Sequence, residues 1–444
     1  MPSENSDAEK LNFAEVTAIG IGGMIGGGIF AVLGLAMAVA GHAVVLTLAG
    51  GGVIAVLTGL SYAHLGLAFR GDGGSFTYIE RAFEAPSIAG IAGWLLIVGY
   101  IGTLALYATA FGDYGAALMR GADGPLLQPA LMATFVLGVF LLINLIGAKL
   151  SGRLELGVVA IKIGILALFM AAGIFGVRES HFRPVIDHGL FTPFAAVALI
   201  FVAYEGFELI PNAIDEMRDP GRDLRRAILS AVLVTTAIYV VVAIVALGNL
   251  TPEQVQHDQE YVLAVAAEPR LGHLGFLMIG VAALLSTASA INATLFGAAR
   301  LGMVMAQERA LPRVFSLRER KRPIPYVSLL VLSTASLLLT LTANLAIIST
   351  LASTTFLLIF AAVNLAALRL SKQIQLHPIL PLAGAALAFA SCGVLVWHSW
   401  STDRASLAWL ALFYAAAILI EISLIWRHGS RRSGRSRLDG PGRI

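Results

Sequence analysis

The segment from Ile21 to Phe30 reads IGGMIGGGIF and places glycine at five of its ten positions, inside a long apolar stretch. Glycine in a helix interior costs about 1 kcal/mol relative to alanine, so this density predicts backbone that is not continuous helix. Unwound backbone persists at membrane depth only where it is buried in protein or lines a cavity. The segment therefore predicts a break in the middle of the first membrane-spanning helix.

A second interruption lies in the sixth apolar stretch, where Ala203–Pro211 reads AYEGFELIP. This segment combines a glycine, two carboxylates and a proline, and proline costs about 3 kcal/mol inside a helix. Interrupted helices at corresponding positions of two halves indicate a transporter site between inverted repeats. The alternative for the first segment is close helix packing, because Gly22 and Gly26 have the spacing of small-xxx-small contacts.

The composition excludes a soluble enzyme. Hydrophobic residues make up 58% of the 444-residue chain and charged residues only 13%, whereas average soluble domains carry roughly 25% charged residues. The mean hydropathy is +0.83. The single cysteine, Cys392, provides neither a disulfide framework nor a cysteine-based metal site. These features predict an all-α integral membrane protein.

Twelve apolar stretches are separated by clusters of Pro, Gly, Arg or Asp. A helix needs about 20 apolar residues to cross a bilayer, so each stretch is interpreted as one transmembrane helix. The predicted spans are residues 13–38, 42–68, 90–118, 127–148, 154–177, 191–215, 227–248, 273–300, 326–343, 345–369, 379–398 and 405–426.

The distribution of basic residues predicts the orientation. With the N-terminus in the cytoplasm, 24 of the 30 Lys and Arg residues fall in cytoplasmic segments or at the cytoplasmic ends of spans, and five fall in outside loops. The positive-inside rule predicts this segregation, which favours a cytoplasmic (inner) membrane protein with both termini cytoplasmic. The predicted organisation is a cytoplasmic N-terminus at 1–12, helices 1–5 at 13–177, helices 6–10 at 191–369, helices 11–12 at 379–426, and a basic tail at 427–444 that contacts lipid head groups.

Lys162 places an amino group inside the fifth predicted span. A charged side chain there costs at least about 2.5–3.5 kcal/mol on insertion scales, and such residues mark functional sites by default. Lys162 is therefore a candidate for taking up and releasing a proton near neutral pH. The alternatives are a structural ion pair with a glutamate, or a long side chain whose ammonium reaches the interface.

Two further sets of polar groups lie at membrane depth. Glu205 and Glu208 fall in the predicted break of span six. Their candidate roles are to carry a proton, to bind a cationic group or to cap a helix end. Glu208 is the better proton or gating candidate, and Glu205 lies nearer the expected ligand. Ser286 and Ser289 of span eight are candidate ligands for an ion or an ammonium facing span one. The alternative is that these hydroxyls bond to carbonyls of their own helix.

The sequence contains no convincing phosphate loop, because the glycines of the first span follow no strand and no Lys-Ser/Thr pair closes them. A His-Glu-x-x-His metal motif is also absent from the sequence. We therefore predict a protein that is not an enzyme and that uses neither a cofactor nor nucleic acid. Transport of a solute against its own gradient would have to be driven by the gradient of an ion or of another solute.

With these residues assembled, the chain resembles the amino acid–polyamine–organocation (APC) permeases over residues 10–430. The segments that carry the resemblance are the broken first helix at Gly20–Phe30, the loop after helix two at Gly73–Phe83, and helix six at Phe201–Glu208 followed by Asp219-Pro220. Gly152–Glu155 ahead of Lys162 resembles the fifth helix of proton-coupled, broad-specificity members, which carry a lysine at the matching position.

The resemblance implies a LeuT-like fold with 12 transmembrane helices: two inverted five-helix repeats plus two additional helices, with helices 1 and 6 broken. It implies that backbone amides at the first break receive the substrate carboxylate and that carbonyls at both breaks receive the α-amino group. The implied substrate-binding residues are Gly23, Met24, Gly26, Gly27, Gly28, Val202, Ala203, Tyr204, Glu205 and Gly206.

The resemblance also implies that Lys162 occupies the place of a sodium ion in sodium-coupled relatives. Its ammonium would bridge the Gly22 carbonyl to a hydroxyl of span eight, Ser286 or Ser289, and protonation would lock helices one, five and eight together. Glu208 joins this proton-coupling set. One departure is Glu205, which adds a carboxylate where the proton-coupled members have a neutral side chain and so favours cationic or hydroxylated substrates.

The function predicted from these features is proton-coupled amino-acid symport by alternating access, with protons as the coupling ion. The predicted partners are an amino-acid substrate and the lipid bilayer, and the predicted assembly is a monomer or homodimer. One alternative is an amino-acid or polyamine exchanger without net proton coupling, which would be slow unless substrate is present on both sides. Another is a membrane sensor that binds a solute without transporting it.

Overall fold

The computed structural model is a bundle of helices, and it describes residues 10–71, 73–119, 128–147, 152–308, 310–317 and 324–436. The first eight helices are α1 Phe13–Met24, α2 Gly28–Ala40, α3 Val44–Ala68, α4 Gly74–Phe83, α5 Pro86–Met119, α6 Pro129–Ile146, α7 Gly152–Gly173 and α8 Thr192–Ile200. The others are α9 Pro220–Asn249, α10 Pro252–His257, α11 Val262–Gln307, α12 Tyr326–Thr342, α13 Leu345–Arg369, α14 Ile379–Thr402 and α15 Arg404–Ser436.

Apolar helices dominate this described part of the chain. Ten helical stretches in it are long and apolar enough to cross a membrane; Gly28–Ala68 joins α2 to α3, and Thr192–Glu216 joins α8 to the 3-10 turns that follow it. Phe13–Met24 and Tyr326–Thr342 are two shorter apolar helices. Away from its ends, a helix satisfies its own backbone donors and acceptors, which is why helices suit a bilayer. The fold is that of an integral membrane protein. Three predicted features lie outside the described residues: the N-terminal segment up to residue 9, the outside loop at Arg120, and the tail from residue 437.

The first predicted span is divided into two helices. Asn12 caps α1 by accepting hydrogen bonds from the Ala14 and Glu15 amides at 2.9 and 3.1 Å. The helix ends at Met24, and α2 begins at Gly28, so the glycine-rich residues 25–27 are not helical. The two helices present opposite ends to each other across this gap, the carbonyl end of α1 and the amide end of α2.

The sixth predicted span is interrupted over a longer distance. α8 ends at Ile200, and the chain continues as 3-10 turns at Phe201–Tyr204 and Phe207–Glu216, with Gly206 between them at φ 131°. Pro211 lies inside the second 3-10 segment. Proline removes a backbone donor and clashes with the preceding turn, which accounts for why the α-helix is not resumed.

Aromatic rings anchor this interrupted segment to the bundle. The Phe360 ring of α13 lies 5.8 Å from the Phe201 ring and 5.2 Å from the Phe207 ring, measured between centroids. Tyr62 of α3 lies 5.6 Å from Phe360 and 5.7 Å from Phe207. Each aromatic pair contributes about 0.5–1.5 kcal/mol beyond its buried area, so both 3-10 turns are held from α3 and α13.

Two local predictions are wrong. The segment predicted as a loop after span two forms the helix α4, with buried Phe76 and Ile79 on one face. Residues 220–226 lie outside the predicted spans, of which the seventh starts at residue 227, but they are already helical because Asp219 caps α9 by accepting from the Arg222 amide at 3.3 Å. The predicted start of span eight at residue 273 agrees with the structure, because α11 is interrupted at Gly272, where φ is 60° and the backbone is not helical.

The turn between α2 and α3 is fastened to the segment between α7 and α8. Asp187 Oδ1 accepts a hydrogen bond from the His42 amide at 3.0 Å, and His42 Nδ1 lies 2.7 Å from the Pro184 carbonyl. A Cβ at Gly41, where φ is 56°, would lie 2.2 Å from the same Asp187 oxygen. The glycine therefore leaves the space that the Asp187 carboxylate fills.

Replacing Asp187 with Ala is expected to loosen this attachment without unfolding the bundle. Loss of a hydrogen bond to a charged acceptor costs about 1.5–3 kcal/mol, so amide hydrogen exchange in the segment preceding α8 is expected to rise roughly tenfold or more. Glu253→Ala removes an exposed carboxylate of α10 and is the matched control. Unchanged exchange in the Asp187 variant would contradict the attachment.

Candidate functional site

The two helix breaks meet backbone to backbone. A Cβ at Gly206 would lie 2.6 Å from both the Gly23 carbonyl carbon and the Met24 nitrogen. A Cβ at Gly28 would lie 2.6 Å from the Cα of Ala203. Only glycine permits such approaches, so the packing interpretation of these glycines and the broken-helix interpretation describe the same structure. Gly23, Met24, Gly28, Ala203 and Gly206 are thereby brought together.

The start of α2 presents backbone amides at this junction. α2 has no side-chain cap. Within the described residues, neither the Gly26 nor the Gly27 amide donates a hydrogen bond to another backbone carbonyl. A Cβ at Gly27 would lie 2.4 Å from the Tyr107 ring and 2.9 Å from Thr287 Cγ2, so α5 and α11 form its walls. Free amides at the positive end of a helix dipole attract an anion such as a carboxylate.

Tyr239 of α9 joins the carbonyls of the two breaks. Its buried hydroxyl lies 2.5 Å from the Met24 carbonyl oxygen and 2.8 Å from the Ala203 carbonyl oxygen. A phenol has one proton to donate, so both carbonyls retain capacity to accept from a further donor. The sequence did not single out Tyr239, because it is one tyrosine in an otherwise ordinary apolar span.

Serines of α13 satisfy the backbone groups that the end of α8 leaves free. Ser353 Oγ donates to the Leu199 carbonyl at 2.8 Å and accepts from the Val202 amide at 3.0 Å. Ser349 Oγ donates to the same Leu199 carbonyl at 2.6 Å. These two residues were also missed, although two serines four apart in an apolar helix present one polar face and could have been noticed. Tyr204 is held from another side, since its hydroxyl donates to the Leu48 carbonyl at 2.5 Å.

The two carboxylates of the sixth span have different partners. Glu208 Oε2 accepts from the Gly206 amide at 2.7 Å and so caps the second 3-10 segment. Its Oε1 is buried and has no hydrogen-bond partner among the described residues. Glu205 points to α5, where Thr103 Oγ1 donates to its Oε2 at 2.7 Å. Both side chains are 5% exposed.

Lys162 of α7 is fully buried and lies against the end of α1. Its Nζ donates to the Gly22 carbonyl at 2.9 Å, and its side chain is 0% exposed. Gly22 is in the last turn of α1, where carbonyls have no partner within the helix and a cation is favoured by the dipole. A Cβ at Gly22 would lie 2.8 Å from Val159, so α7 and α1 pack closely at this point.

The hydroxyls of span eight do not complete this contact. Ser286 Oγ is buried without a hydrogen-bond partner in the described part of the chain, and Ser289 is half-buried. Neither serine is hydrogen-bonded to Lys162, whose Nζ donates to the Gly22 carbonyl.

Replacing Tyr239 with Phe is expected to weaken the apparent affinity for a solute bound between the two breaks about tenfold. The change removes the hydroxyl that joins the breaks and leaves buried carbonyls short of a donor, which costs about 1–3 kcal/mol. The measurement is KM for uptake. Tyr414→Phe removes a comparable hydroxyl, which pairs with Thr355 at 3.0 Å away from the breaks, and is the matched control. Equal KM values in the two variants would contradict the role of Tyr239.

The chain is similar to known membrane transporters. A family model described as amino acid permease matches residues 11–422. The chain is 31% identical to the inner membrane transport protein YbaT of Escherichia coli, over 92% of this chain and 95% of the relative. It is 30% identical to an uncharacterized protein of Methanocaldococcus jannaschii, over 96% and 97%. It is 27% identical to the branched-chain amino acid permease BcaP of Bacillus subtilis, over 92% of each chain.

Proposed function

Because the chain belongs to the amino acid permease family, we propose that it carries amino acids across the membrane together with protons, by alternating access. Membership in this family makes it a multi-pass membrane transporter and not an enzyme. The proton coupling is the part of the proposal that rests on the site. The observation that carries it is the fully buried Lys162, whose Nζ holds the Gly22 carbonyl of the interrupted first span at 2.9 Å.

The proposed architecture has 12 transmembrane helices in a LeuT-like arrangement. Residues 13–177 form one five-helix repeat and residues 191–369 form the inverted second repeat, with two additional helices after them. In support, the interruptions at residues 25–27 and 201–216 fall in the first helix of each repeat and contact each other. Broken helices in this arrangement place a binding site between the repeats.

The proposed substrate site uses both ends of the first break. The amides of Gly26, Gly27 and Gly28 receive the substrate carboxylate, since no side chain caps α2. The α-ammonium is received by the carbonyls of Met24 and Ala203, each of which can accept a second donor beside Tyr239. Opposite helix ends thus match the two charges of an amino acid.

The proposed proton step is a change in the charge of Lys162. When Lys162 is protonated, its ammonium donates to the Gly22 carbonyl and holds α1 against α7. When Lys162 is neutral, this hydrogen bond is weaker and α1 is free to move. Substrate binding and the proton then stabilise the same conformation, which is what couples their movement. Glu208 is proposed as a second group in this cycle, because it caps the moving segment at Gly206.

The protein is proposed to reside in the cytoplasmic membrane with both termini cytoplasmic. The basic residues of the cytoplasmic segments support this orientation. The name of the Escherichia coli relative, an inner membrane transport protein, is consistent with the membrane.

The test uses purified protein in sodium-free liposomes with the outside acidified. Accumulation of labelled amino acids that a protonophore collapses is the expected result. Rapid exchange only after the lumen is preloaded with amino acid would overturn proton coupling and indicate an exchanger. Binding without movement in either format would overturn transport and favour a solute sensor.

A further inference from the structure

Glu205 accepts fewer hydrogen bonds than a buried carboxylate usually does. Its side chain is 5% exposed, and Thr103 Oγ1, at 2.7 Å, is its only hydrogen-bond donor among the described residues. Within the same residues, no Lys, Arg or His nitrogen lies within 4.0 Å of its carboxylate oxygens. A carboxylate accepts about four hydrogen bonds. A buried charge without a counter-charge is unfavourable.

The backbone groups at the break are satisfied without Glu205. The freed backbone at the end of α8 is satisfied by Ser349 and Ser353, and the Gly206 amide is satisfied by Glu208. Lys162 is directed to the Gly22 carbonyl on α1. The carboxylate of Glu205 is therefore not used to hold the break together.

The position of Glu205 separates it from the proposed α-ammonium site. The carbonyls of Met24 and Ala203 lie on the side of α9, where Tyr239 reaches them. Glu205 instead extends to Thr103 of α5. Tyr107 of the same helix lies against Gly27 at the start of α2. A substrate whose carboxylate sits at α2 can therefore direct its side chain along α5 to Glu205.

We propose that Glu205, positioned by Thr103, binds a cationic group on the substrate side chain, so that the carried amino acids are those with an amino or guanidino side chain. This inference rests on the proposed transport function. The substrate's cation supplies the charge that the protein itself does not provide, and a charge-assisted hydrogen bond is about twice as strong as a neutral one.

Arginine and citrulline are a matched pair for the test, because they share their shape and differ in charge. Uptake of each is measured in sodium-free liposomes with the membrane potential clamped at zero, so that the charged substrate gains no electrical driving force. The wild type is expected to prefer arginine by at least about tenfold in kcat/KM, because a site built for a bonding group rejects the analogue that lacks it.

Glu205→Gln is expected to lower kcat/KM for arginine at least tenfold more than it lowers kcat/KM for citrulline. Glu253→Gln removes an exposed carboxylate and is the control that keeps the arginine preference. Glu205→Asp retains the charge on a shorter side chain and is expected to retain a preference for arginine, which keeps the test decisive if the glutamine variant does not fold.

Two results would overturn this inference while leaving amino-acid transport in place. One is a wild type that carries citrulline and leucine but excludes arginine. The other is an equal loss of arginine and citrulline uptake in Glu205→Gln, which would mean that the carboxylate serves a proton or the α-ammonium. If no amino acid moves at all in the wild type, the proposed function itself fails.

Discussion

Replacing Lys162 with Ala is expected to abolish proton-driven accumulation. With one proton per amino acid, a gradient of one pH unit supports up to about tenfold accumulation, since one unit corresponds to 1.36 kcal/mol. The variant is expected to reach a ratio of about one while still exchanging substrate across the membrane. The reason is that alanine has no group to carry the proton and leaves the Gly22 carbonyl without the donor that Nζ provides at 2.9 Å.

Lys372→Ala is the matched control, because it makes the same substitution at an exposed lysine beyond α13. Its accumulation ratio is expected to equal that of the wild type. The measurement is the steady-state ratio of labelled amino acid inside and outside sodium-free liposomes. Accumulation at the wild-type level in the Lys162 variant would show that the proton is carried elsewhere, with Glu208 the next group to test.

Replacing Gly206 with Ala is expected to reduce the transport rate about 100-fold, equivalent to roughly 2.7 kcal/mol. The residue has φ 131°, which L side chains rarely adopt, and such strain costs about 1–3 kcal/mol. The added Cβ would also lie 2.6 Å from the Gly23 carbonyl carbon and the Met24 nitrogen, so the two breaks would have to separate.

The control for this change is Gly393→Ala in α14, where an added Cβ meets no atom within 4 Å. Alanine there is expected to leave transport unchanged and to stabilise the helix by up to about 1 kcal/mol. Both variants are compared at equal amounts of folded protein, measured by size-exclusion profile. Normal transport by the Gly206 variant would contradict the claim that contact between the breaks forms the site.

The sequence predicted the location of both breaks because their cause is local. Glycine density and Pro211 disfavour helix wherever they occur, and α1 and α2 are separated at residues 25–27 as expected. The extent of the second break was not predictable in the same way. Its 3-10 turns depend on rings from α3 and α13 and on serines of α13, which are distant in the sequence.

The start of α9 shows where hydropathy misleads. The residues after Asp219 are strongly charged, so the apolar pattern begins only at residue 227, but the backbone is already helical from Pro220. A helix needs no apolar residue where it lies outside the bilayer core, and the Asp-Pro pair at its start is itself a helix-start signal. Capping residues, read before hydropathy, would have placed this boundary correctly.

The candidate site was only partly accessible to sequence reasoning. The expected contact between Lys162 and Gly22 is present in the structure, and the expected contact of Lys162 with Ser286 or Ser289 is not. Tyr239 and Thr103 carry no pattern that distinguishes them from other polar residues in apolar spans. Their roles depend on which helix faces the break, and that is set by the packing of the whole bundle.

The most direct test of proton-coupled transport records the proton itself. Sodium-free liposomes loaded with a pH-sensitive dye, with equal pH on both sides and the membrane potential clamped, are exposed to a transported amino acid. Coupled transport predicts acidification of the lumen that begins on addition of substrate and is absent in Lys162→Ala. Amino-acid entry without any change in internal pH would contradict proton coupling and leave an amino-acid permease driven in another way.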